Sequence, residues 1–213
     1  MIMNREWAMP SKNTFSIKPI EELIQRYIAG KSIDPFANES RMATITNDLD
    51  PKYNTMYNMD AIEFLQMFDG DSIDTVLFDP PYSPRQVSEC YKSLNMTVDM
   101  TTTQSSFWSK MKKEVARITK PNGIVISFGW NSGGIGKTLG FEIVEILIVA
   151  HGGMHNDTIV TVEKKLSDEI VEDETYFPFM EFWKYLYTIE KDSGVRTRFF
   201  TVLKITSHSF QNT

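Results

Sequence analysis

One apolar run, which begins at Ile73 and stops on Asp79-Pro80-Pro81-Tyr82, constrains this 213-residue chain more than any other feature. Val76, Leu77 and Phe78 read as a strand that is apolar on both faces, as in the interior of a parallel sheet. Two consecutive prolines cannot donate to a ladder, so the strand ends there. A carboxylate, a rigid pair of carbonyls and an aromatic ring are thus presented at a strand's carboxyl end, where open α/β sheets place their ligands.

The rest of the chain alternates in the same sense. Residues 17–28 predict a helix with Pro19 in its first turn and Gly30 just past its end. Short β-like segments follow at 33–36, 43–47 and 54–59. Asp60 caps a second helix whose apolar face holds Ile62, Phe64, Leu65 and Phe68. Residues 83–106 have little periodicity and are expected as an irregular, functional loop. A helix over 107–119, a turn at Pro121-Asn122-Gly123 and a buried strand over 124–128 come next. Residues 141–150 and 157–163 predict two strands joined by a hairpin connection through His151, Gly152, Gly153 and Asn156. This order implies an α/β fold, a doubly wound Rossmann-like sheet, mostly parallel with one antiparallel strand in a terminal hairpin.

Residues 1–165 are expected to form that domain, with 166–213 as a C-terminal extension packing on it. The extension contains an acidic run (168–174), an aromatic stretch (176–187) and a β-like segment (198–205). No apolar stretch approaches the ~20 residues of a membrane span, and the N-terminus lacks the apolar core of a signal peptide. One cysteine, Cys90, excludes an internal disulfide framework and fits a reducing cytoplasm. A net charge of −6 argues against nonspecific coating of nucleic acid, which needs Lys and Arg on the phosphates. Local basic groups remain at Lys110, Lys112 and Lys113 and at Arg196 and Arg198, whose other and favoured reading is a solvated surface; a homo-oligomer or a basic partner chain is another route to a polyanion.

The chemistry that suits Asp79-Pro80-Pro81-Tyr82 is transfer to a planar, weakly nucleophilic amine. Asp79 and the Pro80 carbonyl can accept its two N–H bonds, localise the lone pair and aim it at an electrophile, with the fixed φ of proline supplying preorganisation. Tyr82 offers a face on which a flipped-out base can stack. At these residues the chain resembles the amino-methyltransferases that use S-adenosylmethionine (SAM), whose hallmark is Asp-Pro-Pro-Tyr. The resemblance spans roughly residues 15–164 and gains from two upstream motifs in the family's order. Lys18-Pro19 opens the first helix, and Asp34-Pro35-Phe36-Ala37 follows at a similar interval; the resemblance implies that together they hold SAM. It also implies a ribose role for Asp48 and Asp50, whose other reading is a turn before Pro51, and an adenine role for Asp60.

The family usually follows Asp-Pro-Phe with Gly-X-Gly. This chain instead has Ala37-Asn38-Glu39-Ser40, so Asn38 is expected to carry the positive φ, and Glu39 to reach the SAM ammonium. The implied activity is methylation of adenine N6 in duplex DNA, as in compact enzymes of phages and mobile elements. Cytosine N4, RNA and a degenerate, non-catalytic binding subunit are the rival readings.

Two other patterns invite misreading. Residues Asn131 to Thr138 nearly spell a phosphate-binding P-loop, but a β-like run follows where a P-loop needs a helix N-terminus. A Gly-rich loop beside the active site is the better expectation. His151 and His155 are four apart yet lie in a predicted hairpin, so no metal is expected. They and Asn156 are either substrate contacts, as the family's hairpin implies, or turn residues held by local hydrogen bonds.

Overall fold

The computed structural model describes residues 1–97, 105–153 and 155–167. The chain divides into Met1–Ser167 and Asp168–Thr213; the acidic, aromatic and β-like segments anticipated beyond residue 167 lie outside the described residues, as does part of the 83–106 stretch.

Among the described residues seven strands form one sheet: β1 (Ile2–Trp7), β2 (Ser32–Asp34), β3 (Ile45–Thr46), β4 (Ile73–Phe78), β5 (Thr119–Gly129), β6 (Phe141–Ala150) and β7 (Thr158–Lys165). Their spatial order is β1-β6-β7-β5-β4-β2-β3. Only β7 is antiparallel to its neighbours, β5 and β6. The fold is the doubly wound α/β sheet expected from the sequence.

Four helices accompany it within the same residues: α1 (Lys18–Tyr27), α2 (Ala61–Gln66), α3 (Pro84–Ser93) and α4 (Ser105–Ile118). In α1, Ile20, Leu23 and Ile24 are fully buried while Lys18, Glu21 and Glu22 face water. Each buried side chain of this kind contributes about 1.5–3 kcal/mol. Strand β4 has an apolar cluster on both sides: Val76 and Phe78 pack with Phe64, Met111 and Val125, and Leu77 with Ile20, Ile126 and Val160. That two-sided burial explains the uninterrupted apolar run.

Three elements differ from expectation. Strand β1 pairs in parallel with β6 from Ile2↔Glu145 to Trp7↔Ala150, yet all six of its residues are exposed, so it has no apolar alternation to reveal it. Helix α3 occupies part of the expected loop; Ser83 caps it, its Oγ accepting from the Gln86 amide, and Pro84 opens its first turn. Strand β5 begins at Thr119, and the expected turn is a bulge within it. Asn122 sits there at φ 64° while the register on β4 jumps from Ile73↔Thr119 to Thr75↔Ile124. Residues 54–59 make only an isolated bridge, Asn47↔Tyr57. Among the described residues no helix is long and apolar enough to cross a membrane.

Candidate active site

From β2 the chain steps outward to β3, and from β4 it steps the other way to β5, so β2 and β4 flank the point where the winding reverses. They are paired, Ser32↔Thr75 and Ile33↔Val76. Asp34 ends β2 and Asp79 follows β4, which puts both carboxylates at the carboxyl edge of the sheet at its switch point.

A cavity of about 1240 Å³ opens over this edge. Its walls include Pro35 to Met42, Asp48, Asp50, Asp60, Asp79 to Tyr82, Trp130, His151, His155 and Asn156. Single small-molecule sites run to roughly 300–1,000 Å³, so the space admits a cofactor and a second planar group together.

The tetrapeptide is braced from three directions. The Tyr82 hydroxyl donates to Asp79 Oδ1, the Tyr82 amide donates to Gln86 Oε1 at 2.6 Å, and Trp108 Nε1 donates to the Pro81 carbonyl at 2.9 Å. Trp130, at the end of β5, meets the Tyr82 ring edge-to-face at 5.5 Å. Burial pushes the Asp79 carboxyl up to about 6, with the Tyr82 and Thr14 hydroxyls offsetting part of the rise. Burial and the adjacent Asp79 charge raise the Tyr82 hydroxyl, which stays protonated and donating.

Asp34 is fully buried, and its carboxyl is pushed well above the ordinary range by burial, against the Phe36 amide that donates to Oδ1 at 3.0 Å. Its Oδ2 has no hydrogen-bond partner among the described residues, an acceptor left over at the end of β2. The turn after it survives without glycine: Asn38 takes φ 52°, and its amide donates to Asp48 Oδ2 at 2.9 Å.

The remaining anticipated residues are placed unevenly. Asp48 lines the cavity, but its two oxygens accept from the Asn38 and Asp50 amides. Asp50 caps a 3-10 turn and pairs with Lys52. Asp60 caps α2 through the Ile62 amide at 2.8 Å and accepts from the Tyr91 hydroxyl at 2.8 Å. Lys18 and Pro19 are not cavity-lining residues: Lys18 is exposed beside Glu22, and Pro19 faces a separate groove with Asn4 and Arg26. From that stretch the cavity takes residues 10–17 and Glu21 instead. Glu39 lines the cavity and accepts from Asn13 Nδ2 at 2.9 Å.

In the hairpin, His151 is buried, one ring nitrogen on the Ala8 carbonyl and the other on the Thr158 hydroxyl, each at 2.8 Å. His155 and Asn156 are exposed on the cavity wall. The Gly-rich loop after Trp130 stands away from the cavity, and two of its amides are already occupied. Glu163 accepts from Ile135 N at 2.6 Å and from Gly136 N at 2.9 Å. A carboxylate from β7 thus fills the cradle that a P-loop would offer to phosphate. Among the described residues no group of three or more His, Cys, Asp or Glu side chains is arranged to hold a metal ion.

Sequence reasoning missed Trp130, Trp108, Gln86, Tyr91 and Arg41. The first four had a readable trace: Gln86 and Tyr91 lie on a helix opened by Ser83-Pro84, and each tryptophan flanks an element bordering the tetrapeptide. Arg41 had none.

No family model matches the chain, and no curated protein matches it. Solved structures align with parts of the chain at low identity. TrmN from Thermus thermophilus aligns at 16% identity over 70% of this chain and 48% of that one, with a TM-score of 0.47. The Burkholderia thailandensis 1,6-didemethyltoxoflavin-N1-methyltransferase, bound to 1,6-didemethyltoxoflavin and S-adenosylhomocysteine, aligns at 10% identity over 64% of this chain and 71% of that one, TM-score 0.44. A candidate DNA modification methylase, also of Thermus thermophilus, aligns at 18% identity over 51% of each chain, TM-score 0.34. The chain therefore spans about half the length of the first and third of these proteins.

Proposed function

We propose that this chain is a SAM-dependent amino-methyltransferase acting at N6 of adenine in duplex DNA. The observation that carries the reading is Asp79-Pro80-Pro81-Tyr82 standing over the same cavity as the turn that follows Asp34, across the switch point between β2 and β4. The residues present fit the cofactor. The turn from Pro35 to Met42, Asp48 and Asp60 line the cavity, which has room for a nucleoside cofactor and a flipped base. Asp34 is fully buried, with one oxygen unpartnered among the described residues, and is not itself a lining residue.

When bound, SAM supplies an electrophilic methyl group on a sulfonium. The protein's part is positioning and proton handling. Asp79 and the Pro80 carbonyl accept the two amine N–H bonds, which turns the nitrogen lone pair toward the donor. Tyr82 keeps Asp79 oriented through its hydroxyl, while its ring borders the space a base would enter. A direct displacement needs no enzyme nucleophile. The amine proton released after N–C bond formation has the Asp79 carboxylate as its nearest acceptor.

The test is transfer of labelled methyl from SAM to unmethylated duplex DNA, with Asp79→Ala as control and the nucleosides separated afterwards. Label on N6-methyladenine, lost in the variant, is the expected result. Label on cytosine N4 or on RNA keeps the reaction and changes the substrate. No transfer and no SAM binding moves the assignment to a non-catalytic binding subunit.

A further inference from the structure

The turn that follows Asp34 lacks glycine, yet it is held by a dense set of side-chain bonds. Asn47, fully buried, donates from Nδ2 to the Pro35 carbonyl at 3.1 Å and to the Met59 carbonyl at 3.0 Å. Asp48 accepts from the Asn38 amide on one oxygen and from the Asp50 amide on the other, each at 2.9 Å. The Arg41 guanidinium donates to the carbonyls of Asn38 (3.1 Å) and Ser40 on one side and of Tyr53 and Asn54 (3.2 Å) on the other. These three side chains knit two separate stretches, 35–41 and 47–59, into one wall of the cavity.

Glycine suits such turns because it adopts positive φ without steric cost and lets the backbone approach a ligand. Asn38 at φ 52° meets the first need at a penalty that asparagine bears better than most residues. The bond from its amide to Asp48 opposes that penalty. Each Asp48 oxygen keeps a second lone pair, but the two amides fix how the carboxylate is turned, and through the Asn38 amide it bears directly on the strained residue.

We propose that Asp48 and Arg41 are positioning residues that hold the glycine-free turn in shape for the cofactor, and that Asp48 acts through Asn38 rather than on the ribose hydroxyls. The inference rests on the SAM reading above. It makes a distinctive demand: replacing Asn38 by glycine removes the strain that Asp48 offsets, so Asn38→Gly should rescue the loss of Asp48. A direct ribose ligand could not be rescued in that way.

The experiment is calorimetric titration of SAM and of S-adenosylhomocysteine into the wild-type chain, Asp48→Asn, Asn38→Gly and the double variant. Amide hydrogen exchange of each ligand-free protein accompanies it. Asp48→Asn is expected to weaken binding about tenfold and to speed exchange at Asn38 and Asp50. Asn38→Gly alone sets the reference affinity, and the double variant should bind within about threefold of that single variant, recovering most of the tenfold loss. Arg41→Ala should speed exchange across 38–41 and weaken binding to a similar degree. A tenfold loss that is identical with and without Asn38→Gly overturns the proposal in favour of direct ribose contact. Unchanged affinity in Asp48→Asn overturns it while leaving the SAM reading intact. A wild-type chain that binds neither ligand overturns both.

Discussion

Among the individual side chains, Asp79 carries the sharpest consequence. Burial holds its carboxyl near 6, well above the ordinary carboxylate value. The ionised carboxylate is the stronger acceptor for an amine N–H and the form able to take up the released proton, so kcat/KM is expected to fall as pH drops through about 6. Removing the Tyr82 hydroxyl takes away a donor that favours the charged form. Tyr82→Phe should therefore shift the acidic limb upward and cut activity at pH 7 several-fold, while keeping an aromatic face for stacking. A limb that stays in place in a pH–rate profile of that variant would sink the assignment. The same burial has a thermodynamic side. Because the folded pKa is raised, the ionised carboxylate opposes folding above about pH 6, and that opposition is relieved as pH falls toward about 4. Asp79→Asn should thus stabilise the fold at about pH 7.5 by something on the order of 2 kcal/mol while depressing methyl transfer, which denaturant unfolding can check. Its pH–rate profile should also lose the acidic limb.

Two elements are held by buried carboxylates that sequence alone could not assign. Glu145, fully buried on β6, accepts from Asn4 on β1 at 3.1 Å, Arg26 at 2.9 Å and Tyr27 at 2.7 Å. Burial alone would raise its carboxyl, and the Arg26 and Tyr27 hydrogen bonds outweigh that, holding it below its ordinary range. A depressed carboxylate contributes stability that is present above the unfolded pKa and lost as pH falls through the folded one. Glu145→Gln puts an N–H where a lone pair was needed and is expected to cost about 2–3 kcal/mol, with amide exchange accelerating first along Ile2–Trp7. Uniform acceleration across the sheet would show that β1 is not the element it secures. Glu163 plays the matching part under the Gly-rich loop. A Cβ at Gly134, where φ is +44°, would lie 2.2 Å from its Oε2, so Gly134→Ala should cost at least about 2 kcal/mol.

These contacts also mark where the sequence was readable. The pattern of β4, β6 and β7 and the apolar face of α1 follow from burial, and burial writes itself in periodicity. Strand β1 is exposed along its length, and its place at the sheet edge depends on a glutamate 141 residues away from Asn4. No local pattern records such a bond. Helix α3 did have a local signal, Ser83-Pro84 with Val87 and Tyr91 four apart, which the polar residues between them obscured. At the site, Asp79 and Asp34 were legible because strand ends at a switch point are fixed by topology. What holds the turn after Asp34 was not, since Asp48 and Arg41 act on backbone groups that only folding brings near.

For the whole molecule, the charge balance limits how DNA can be engaged. With 22 Lys and Arg against 28 Asp and Glu, the net charge of −6 argues against extensive nonspecific phosphate contacts. Among the described residues the basic side chains around the cavity are Lys12, Arg41 and Lys52. Two of these are already engaged, Lys52 with Asp50 and Arg41 with backbone carbonyls. Binding to duplex DNA should therefore rest more on the flipped base than on counterion release. If two or three phosphates are neutralised, log K against log salt should slope by only about −2 to −3. Fluorescence anisotropy of a labelled duplex between roughly 50 and 200 mM salt, a range that spans roughly 10³–10⁵ in affinity for proteins making about 6–10 phosphate contacts, measures this directly. A slope steeper than about −5 would require a basic surface beyond the described walls of this cavity. A shallow slope with a clear preference for a duplex carrying a mismatched adenine, whose extrusion is cheaper, would instead locate recognition in the base itself.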